Sequence, residues 1–170
     1  MSTLARVRRL ALLLLVLVVA AGCGGSHKAA PPATTTVKRP LPPGDVLYEG
    51  AAWAVAVVGT KATAYHWASG AWHADESHHV KIEILGPKPS STGNARTPQV
   101  AVQLSADADL ADSALWLDGR ELLTKGGGLT PRKGTIYGAP DGPLGRGRHV
   151  VVAYGRTAAH ATAVAWVFRV

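Results

Sequence analysis

The sequence predicts an all-β fold, an antiparallel β-sandwich assembled from many short strands. Apolar residues recur at every second position within residues 53–58, 80–84, 100–104, 150–154 and 164–170. A period of two is the spacing of side chains along one face of a β-strand. Gly, Pro, Asp or Asn bound these runs, and no segment carries the apolar stripe of a helix. Short strands at regular intervals without helices are typical of a sandwich.

A palindrome near the start of the predicted domain indicates a β-hairpin. Residues 66–73 read HWASGAWH, and a two-residue loop at the centre would place Trp67 opposite Trp72 and His66 opposite His73. Facing tryptophans stack across a hairpin and add about 0.5–1 kcal/mol to its stability.

Three segments in the second half of the chain carry a family resemblance. Residues 115–120 read LWLDGR, residues 143–150 read PLGRGRHV, and residues 165–170 read AWVFRV. These segments resemble bacterial immunoglobulin-like domains, and the last one is similar to the family's closing Trp-x-Phe-x-Val strand. The resemblance covers residues 80–170 and implies an immunoglobulin-like antiparallel β-sandwich. It also implies a module that presents loops or sheet faces, spaces its neighbours, or binds proteins and glycans.

The N-terminus has the pattern of an export signal that ends at the only cysteine of the chain, Cys23. Arg6, Arg8 and Arg9 precede an apolar run over residues 10–21, as in secretory signals. The run is shorter than the ~20 residues that a membrane-spanning helix needs. Small residues followed by Gly and Cys resemble a bacterial lipoprotein signal, which implies acylation of this cysteine and anchoring of an extracytoplasmic protein to the cell membrane. An ordinary secretory signal with an incidental cysteine is the alternative.

These patterns divide the chain into four parts. We expect a lipoprotein signal peptide over residues 1–22 and a lipidated cysteine with a disordered, Pro- and Thr-rich tether over residues 23–44. A β-meander with a turn at residues 59–60 then occupies residues 45–79, and the sandwich occupies residues 80–170. The tether has almost no large apolar residue, so it cannot bury enough surface to offset the entropy cost of ordering.

Charge and motifs exclude several classes of function. The formal net charge is +7, but the excess of basic residues lies before residue 45, and the predicted domain is close to neutral. A neutral domain lacks the electrostatic footprint of a nucleic-acid-binding protein. The sequence also lacks a nucleophile elbow, a zinc-protease helix motif and a phosphate-binding loop motif. We therefore expect no nucleic-acid partner and no enzymatic activity.

A group of histidines offers a metal-binding alternative. His66 and His73 would face each other about 5 Å apart, which is close enough to share one zinc or copper ion. The candidate ligands are His66, His73, His78 and His79, with Asp75 or Glu76 as a carboxylate. Histidines are also common on the exposed face of a hairpin, and on that interpretation the protein needs no cofactor.

Tryptophans form the second candidate site. Trp67, Trp72 and Trp116 are the candidates for indole rings at the surface, with packing in the core as the alternative. Trp116 is the best of the three candidates, because it is out of phase with the leucines on either side of it. Exposed indoles on a sheet face suit protein surfaces and sugar rings. We therefore expect a lipid-anchored envelope protein that acts as a non-enzymatic interaction module for an envelope protein or glycan. A metal-binding or metal-delivery lipoprotein is the alternative.

Overall fold

The computed structural model describes residues 39–122 and 134–170. The regular secondary structure of these residues consists of eleven β-strands, without a helix. The strands are β1 (Asp45–Glu49), β2 (Trp53–Val58), β3 (Lys61–Ala68), β4 (Ala71–Ala74), β5 (Ile82–Gly86), β6 (Val100–Leu104), β7 (Ala114–Leu117), β8 (Arg120–Leu122), β9 (Thr135–Gly138), β10 (Arg148–Arg156) and β11 (Ala161–Arg169). The predicted all-β fold is confirmed. In this part of the chain no helix is long and apolar enough to span a membrane. Cys23 and the predicted signal peptide lie outside the described residues.

The strands form three antiparallel sheets. The meander sheet has the order β1-β2-β3-β4, the central sheet the order β11-β10-β7-β8, and the outer sheet the order β5-β6-β9. The meander uses the first four strands only. The central and outer sheets instead exchange strands with each other along the chain, which is the connectivity of a β-sandwich.

The central sheet is covered on both faces. On one face Leu115 packs with Val102 of the outer sheet. On the opposite face Trp116 and Val152 pack with Val55 of the meander. Successive side chains of the central strands therefore enter two different hydrophobic cores, which is why these strands are apolar at nearly every position.

The burial of Trp116 corrects one expectation from the sequence. Its side chain is 3% exposed, so the predicted surface position of this indole is wrong. Leu115 and Leu117 face the outer sheet, whereas Trp116 faces the meander. The meander therefore covers the side of β7 that was predicted to face solvent. Trp116 is a core residue between two layers and is not available to a binding partner.

The predicted hairpin is present in the predicted register. Trp67 pairs with Trp72 and His66 pairs with His73 across β3 and β4. The two loop residues take φ angles of 51° and 80°. Two successive positive φ values define a type I′ turn, whose twist matches that of antiparallel strands.

A buried histidine fixes the start of β10. His149 Nδ1 lies 2.8 Å from Asp118 Oδ2, and His149 Nε2 lies 2.9 Å from the Gly145 carbonyl oxygen. Because both ring nitrogens face acceptors, both bonds are made only when the imidazole is protonated. Burial acts to lower the pKa of His149, but the hydrogen bonds to Asp118 and Gly145 and the carboxylate charge outweigh it and raise the pKa. Asp118 Oδ1 also accepts the Val150 N–H at 2.8 Å, which ties the β7–β8 turn to β10.

Candidate functional site

A groove of about 460 Å³ opens where the β3–β4 hairpin approaches the loop between β10 and β11. Its lining combines aromatic, imidazole and carboxylate side chains with small residues. The lining residues are Ala52, Trp53, His66, Trp67, Ala74, Asp75, Ser77, Ala158, Ala159 and His160. We call this feature the hairpin groove, and both the meander and the central sheet contribute to it.

Asp75 connects the two walls of the hairpin groove. Asp75 Oδ2 accepts the Ala161 N–H of β11 at 2.8 Å, and Oδ1 accepts the Ser77 N–H at 2.9 Å. The side chain is 7% exposed, and His160 Nδ1 lies 3.7 Å from Oδ2. Burial acts to raise the pKa of Asp75, but hydrogen bonds from Ser77 and Ala161 and the charge of His160 outweigh it and lower the pKa. Asp75 is therefore a carboxylate at neutral pH.

Trp53 and His66 form the aromatic wall of the groove. They are directly opposite each other in the β2–β3 register, so their side chains share one face of the meander. Their ring centroids lie 5.9 Å apart with an interplanar angle of 56°. Both residues are half-buried, so part of each side chain is accessible from the groove.

The N-terminal segment of the domain covers the tryptophan pair. Trp67 and Trp72 contact each other edge to face, with centroids 5.1 Å apart. The Arg39 guanidinium lies 4.4 Å from the Trp67 ring centroid, and the Trp72 indole N–H donates to the Pro40 carbonyl oxygen at 2.8 Å. Arg39 Nη1 also donates to the Ala51 carbonyl oxygen at 2.9 Å. The described end of the predicted tether therefore contacts the very tryptophans that were predicted to bind a partner.

The structure keeps two of the four candidate metal ligands together and places the other two elsewhere. His66 and His73 stack with ring centroids 5.5 Å apart, as their cross-strand pairing predicts. His79 instead contacts His160, with ring centroids 4.2 Å apart. His78 lines a separate pocket. Among the described residues, no three His, Cys, Asp or Glu side chains converge on a point where a metal ion could bind. The expectation that His78 or His79 completes a site with His66 and His73 is wrong, because the chain turns His79 towards the β10–β11 loop.

Two residues of the hairpin groove escape prediction from the sequence. Trp53 carries no local sign of a ligand contact, since its position at the start of an apolar strand suggests the core. His160 lies far from the histidines of the hairpin along the chain and meets them only through the packing of the central sheet on the meander. The concentration of histidines around residues 66–79 is the one feature that points to this region.

Comparison with solved structures adds a similarity in fold. No protein-family model and no curated protein matches the sequence. The crystal structure of CopC from Methylosinus trichosporium OB3b superposes with a TM-score of 0.41 at 16% sequence identity, over 52% of this chain and 92% of that chain. We draw no functional inference from a similarity at this level.

Proposed function

We propose that the protein is a non-enzymatic binding module of the bacterial cell envelope, anchored by lipid on Cys23, and that the hairpin groove binds an uncharged glycan. The observation that carries the proposal is the combination of two half-buried aromatic rings, Trp53 and His66, with the polar side chains of Asp75 and His160 in one groove. A glycan is an extracytoplasmic ligand, in keeping with the predicted lipoprotein signal.

The shape of the site favours a glycan over a protein partner. A stable protein interface buries about 800 Å² on each partner and is broad, whereas the hairpin groove is a small open depression of about 460 Å³. Concave sites with a few convergent polar groups suit small ligands or single units of a polymer. A sugar ring presents an apolar C–H face to an indole and hydroxyl groups to surrounding polar side chains.

The charge of the site favours an uncharged sugar. Asp75 is ionised at neutral pH because its pKa is lowered, so it repels a uronic acid or a phosphorylated sugar. The Asp75 carboxylate is 7% exposed and already accepts the N–H groups of Ser77 and Ala161, so it acts on a ligand through its charge. His66 and His160, which also line the groove, are the side chains that can hydrogen bond to sugar hydroxyls.

The arrangement of Ser77, His160 and Asp75 supports binding rather than hydrolysis. These residue types make up a hydrolytic triad only when the histidine stands between the serine and the carboxylate. Here the Ser77 side chain hydrogen bonds to Asp75 itself, and His160 approaches the same carboxylate from another side. No hydrogen bond among the described residues joins Ser77 to an imidazole, and we assign the three residues to ligand contact.

The test is a panel of neutral oligosaccharides screened by saturation-transfer NMR, followed by calorimetry on any that bind. Trp53→Ala and His66→Ala are expected to weaken binding at least tenfold. His73→Ala is the matched control, since His73 stacks on His66 but does not line the groove, and it should change the Kd less than twofold. Circular dichroism checks that the variants fold. The proposal fails if no neutral sugar binds, or if binding is equally insensitive to all three substitutions.

A further inference from the structure

A second groove lies at the end of the central sheet where β10 begins and β11 ends, away from the hairpin groove. It encloses about 510 Å³. Its lining residues are Thr60, Pro89, Ser90, Arg148, Ala165, Trp166, Val167, Phe168 and Arg169. We call it the arginine groove, because its two charged residues are both arginines.

The two arginines of this groove face each other across the sheet. Arg148 and Arg169 are directly opposed in the β10–β11 register, so their side chains leave the sheet on the same face. Both residues are exposed. Like charges at directly opposed positions repel each other and destabilise the strand pair, so the pairing calls for a compensating negative charge.

No acidic side chain of the described residues supplies that charge. The ion pairs found in this part of the chain are His149 with Asp118, Arg156 with Asp112 and His160 with Asp75. Arg156, at the other end of β10, therefore has a carboxylate partner, whereas the arginine pair has none. This contrast within one strand leaves both guanidinium groups available to an external anion.

The walls of the arginine groove are held in place by backbone hydrogen bonds. The Ser90 N–H donates to the Val167 carbonyl oxygen at 2.7 Å, and the Arg169 N–H donates to the Ser91 carbonyl oxygen at 2.9 Å. These bonds fasten the segment after β5 along β11. Ser90 and Thr60 are hydroxyl-bearing residues of the lining. The backbone around the groove is therefore already ordered before an anion enters it.

We propose that the arginine groove binds a phosphate group, either a phosphomonoester or a phosphodiester, between Arg148 and Arg169. Each guanidinium presents a planar fork of N–H donors that matches two oxygens of a phosphate. Two forks and neighbouring hydroxyls satisfy a tetrahedral oxyanion better than a planar carboxylate, which has only two oxygens. The volume exceeds that of phosphate alone, so the esterified organic group fits on the open side. A phospholipid headgroup and a soluble phosphoester share this chemistry.

The first experiment titrates the purified protein with inorganic phosphate and with glycerol phosphate while NMR follows the arginine Nε–Hε signals. We expect saturable shifts with a millimolar Kd that Arg148→Gln or Arg169→Gln weakens at least fivefold. Arg120→Gln is the matched control, because Arg120 is an exposed strand arginine outside the groove, and it should leave the Kd unchanged. Shifts that do not saturate, or that all three variants reduce equally, would overturn the proposal.

A second measurement distinguishes the source of the phosphate and checks folding. In a Cys23→Ala background, which cannot carry lipid, co-sedimentation is compared for vesicles of phosphatidylcholine alone and with one quarter phosphatidylglycerol. Binding to the anionic vesicles that needs both arginines identifies a lipid headgroup, whereas phosphate binding without vesicle binding identifies a soluble phosphoester. Because Arg148→Gln and Arg169→Gln each remove the repulsion between the two arginines, neither variant should have a lower Tm than the parent protein in phosphate-free buffer. A lower Tm would contradict the repulsion on which the proposal rests.

Discussion

Replacing Asp118 by Asn isolates the charge of the buried pair between Asp118 and His149. The substitution keeps the size of the side chain and an oxygen that can accept the Val150 N–H. It also suits the turn, because Asp118 has a φ of 50° and is followed by Gly119, and Asn-Gly is a favoured type I′ pair. The variant therefore changes the electrostatics at His149 while the β7–β8 turn stays intact.

The expected loss is about 1.5 kcal/mol of unfolding free energy at pH 5.5. Asn has one side-chain oxygen, which accepts the Val150 N–H, so its NH2 group faces His149 Nδ1 and cannot accept from the protonated imidazole. A hydrogen bond to a charged group contributes about 1.5–3 kcal/mol. His149 has a side chain 10% exposed, but that of Asp118 is 44% exposed. Solvent screening at the Asp118 end therefore places the loss at the lower end of that range, about 1.5 kcal/mol.

The pH dependence gives the sharper test of the same substitution. The pKa of His149 is raised above 6.5 in the folded state, so the stabilisation is complete below pH 6.5 and is lost as the pH rises through the folded value. Urea unfolding at pH 5.5 and pH 9 should show a gap between Asp118→Asn and the parent protein that shrinks by at least half at the higher pH. A gap that is the same at both pH values, or an NMR titration that places His149 below 6.5, would refute the reasoning.

Three other substitutions test the packing. Trp116→Ala should lower the free energy of unfolding by about 3–5 kcal/mol, because the indole fills the space between two layers; a loss below 1 kcal/mol by urea titration would contradict its burial. Asp75→Ala should cost about 1–3 kcal/mol at pH 7, because it leaves a backbone N–H of β11 without its acceptor. The pKa of Asp75 is lowered from 3.8, so this loss of stability is complete above pH 3.8 and should be smaller at pH 2.5. An equal loss at both pH values would contradict the stabilisation of the Asp75 carboxylate by its hydrogen bonds and by His160. Gly155→Ala should cost about 1–3 kcal/mol by overpacking, as its Cβ would lie 3.0 Å from Val80 Cγ1, whereas Gly142→Ala, which meets no atom within 4 Å, should be neutral.

Periodicity predicted the strands better than it predicted which of their faces are buried. Alternation along β10 singled out Val150, Val152 and Tyr154, yet the intervening Val151 and Ala153 are fully buried. A continuous apolar run is typical of a strand covered on both faces. An alternating pattern can be found inside any such run, so the period alone did not show that a third layer covers the central sheet.

Turn chemistry predicted local pairing, whereas the contacts that build the sites join distant positions. The Ser69-Gly70 turn fixed the register of the hairpin because two positive φ values are needed between adjacent strands. The carboxylate of Asp75 instead binds a backbone N–H 86 positions away. Nothing in a single sequence marks such a partner, since a backbone N–H is present at almost every residue.

The double coverage of the central sheet has a consequence for solubility. A chain cut after residue 79 would leave the sandwich half with Trp116, Val152 and Tyr154 exposed to water. Large exposed apolar surfaces promote self-association, and the released meander would lose its only described apolar contact area at the same time. The two halves therefore depend on each other for solubility, and either half expressed alone is expected to aggregate.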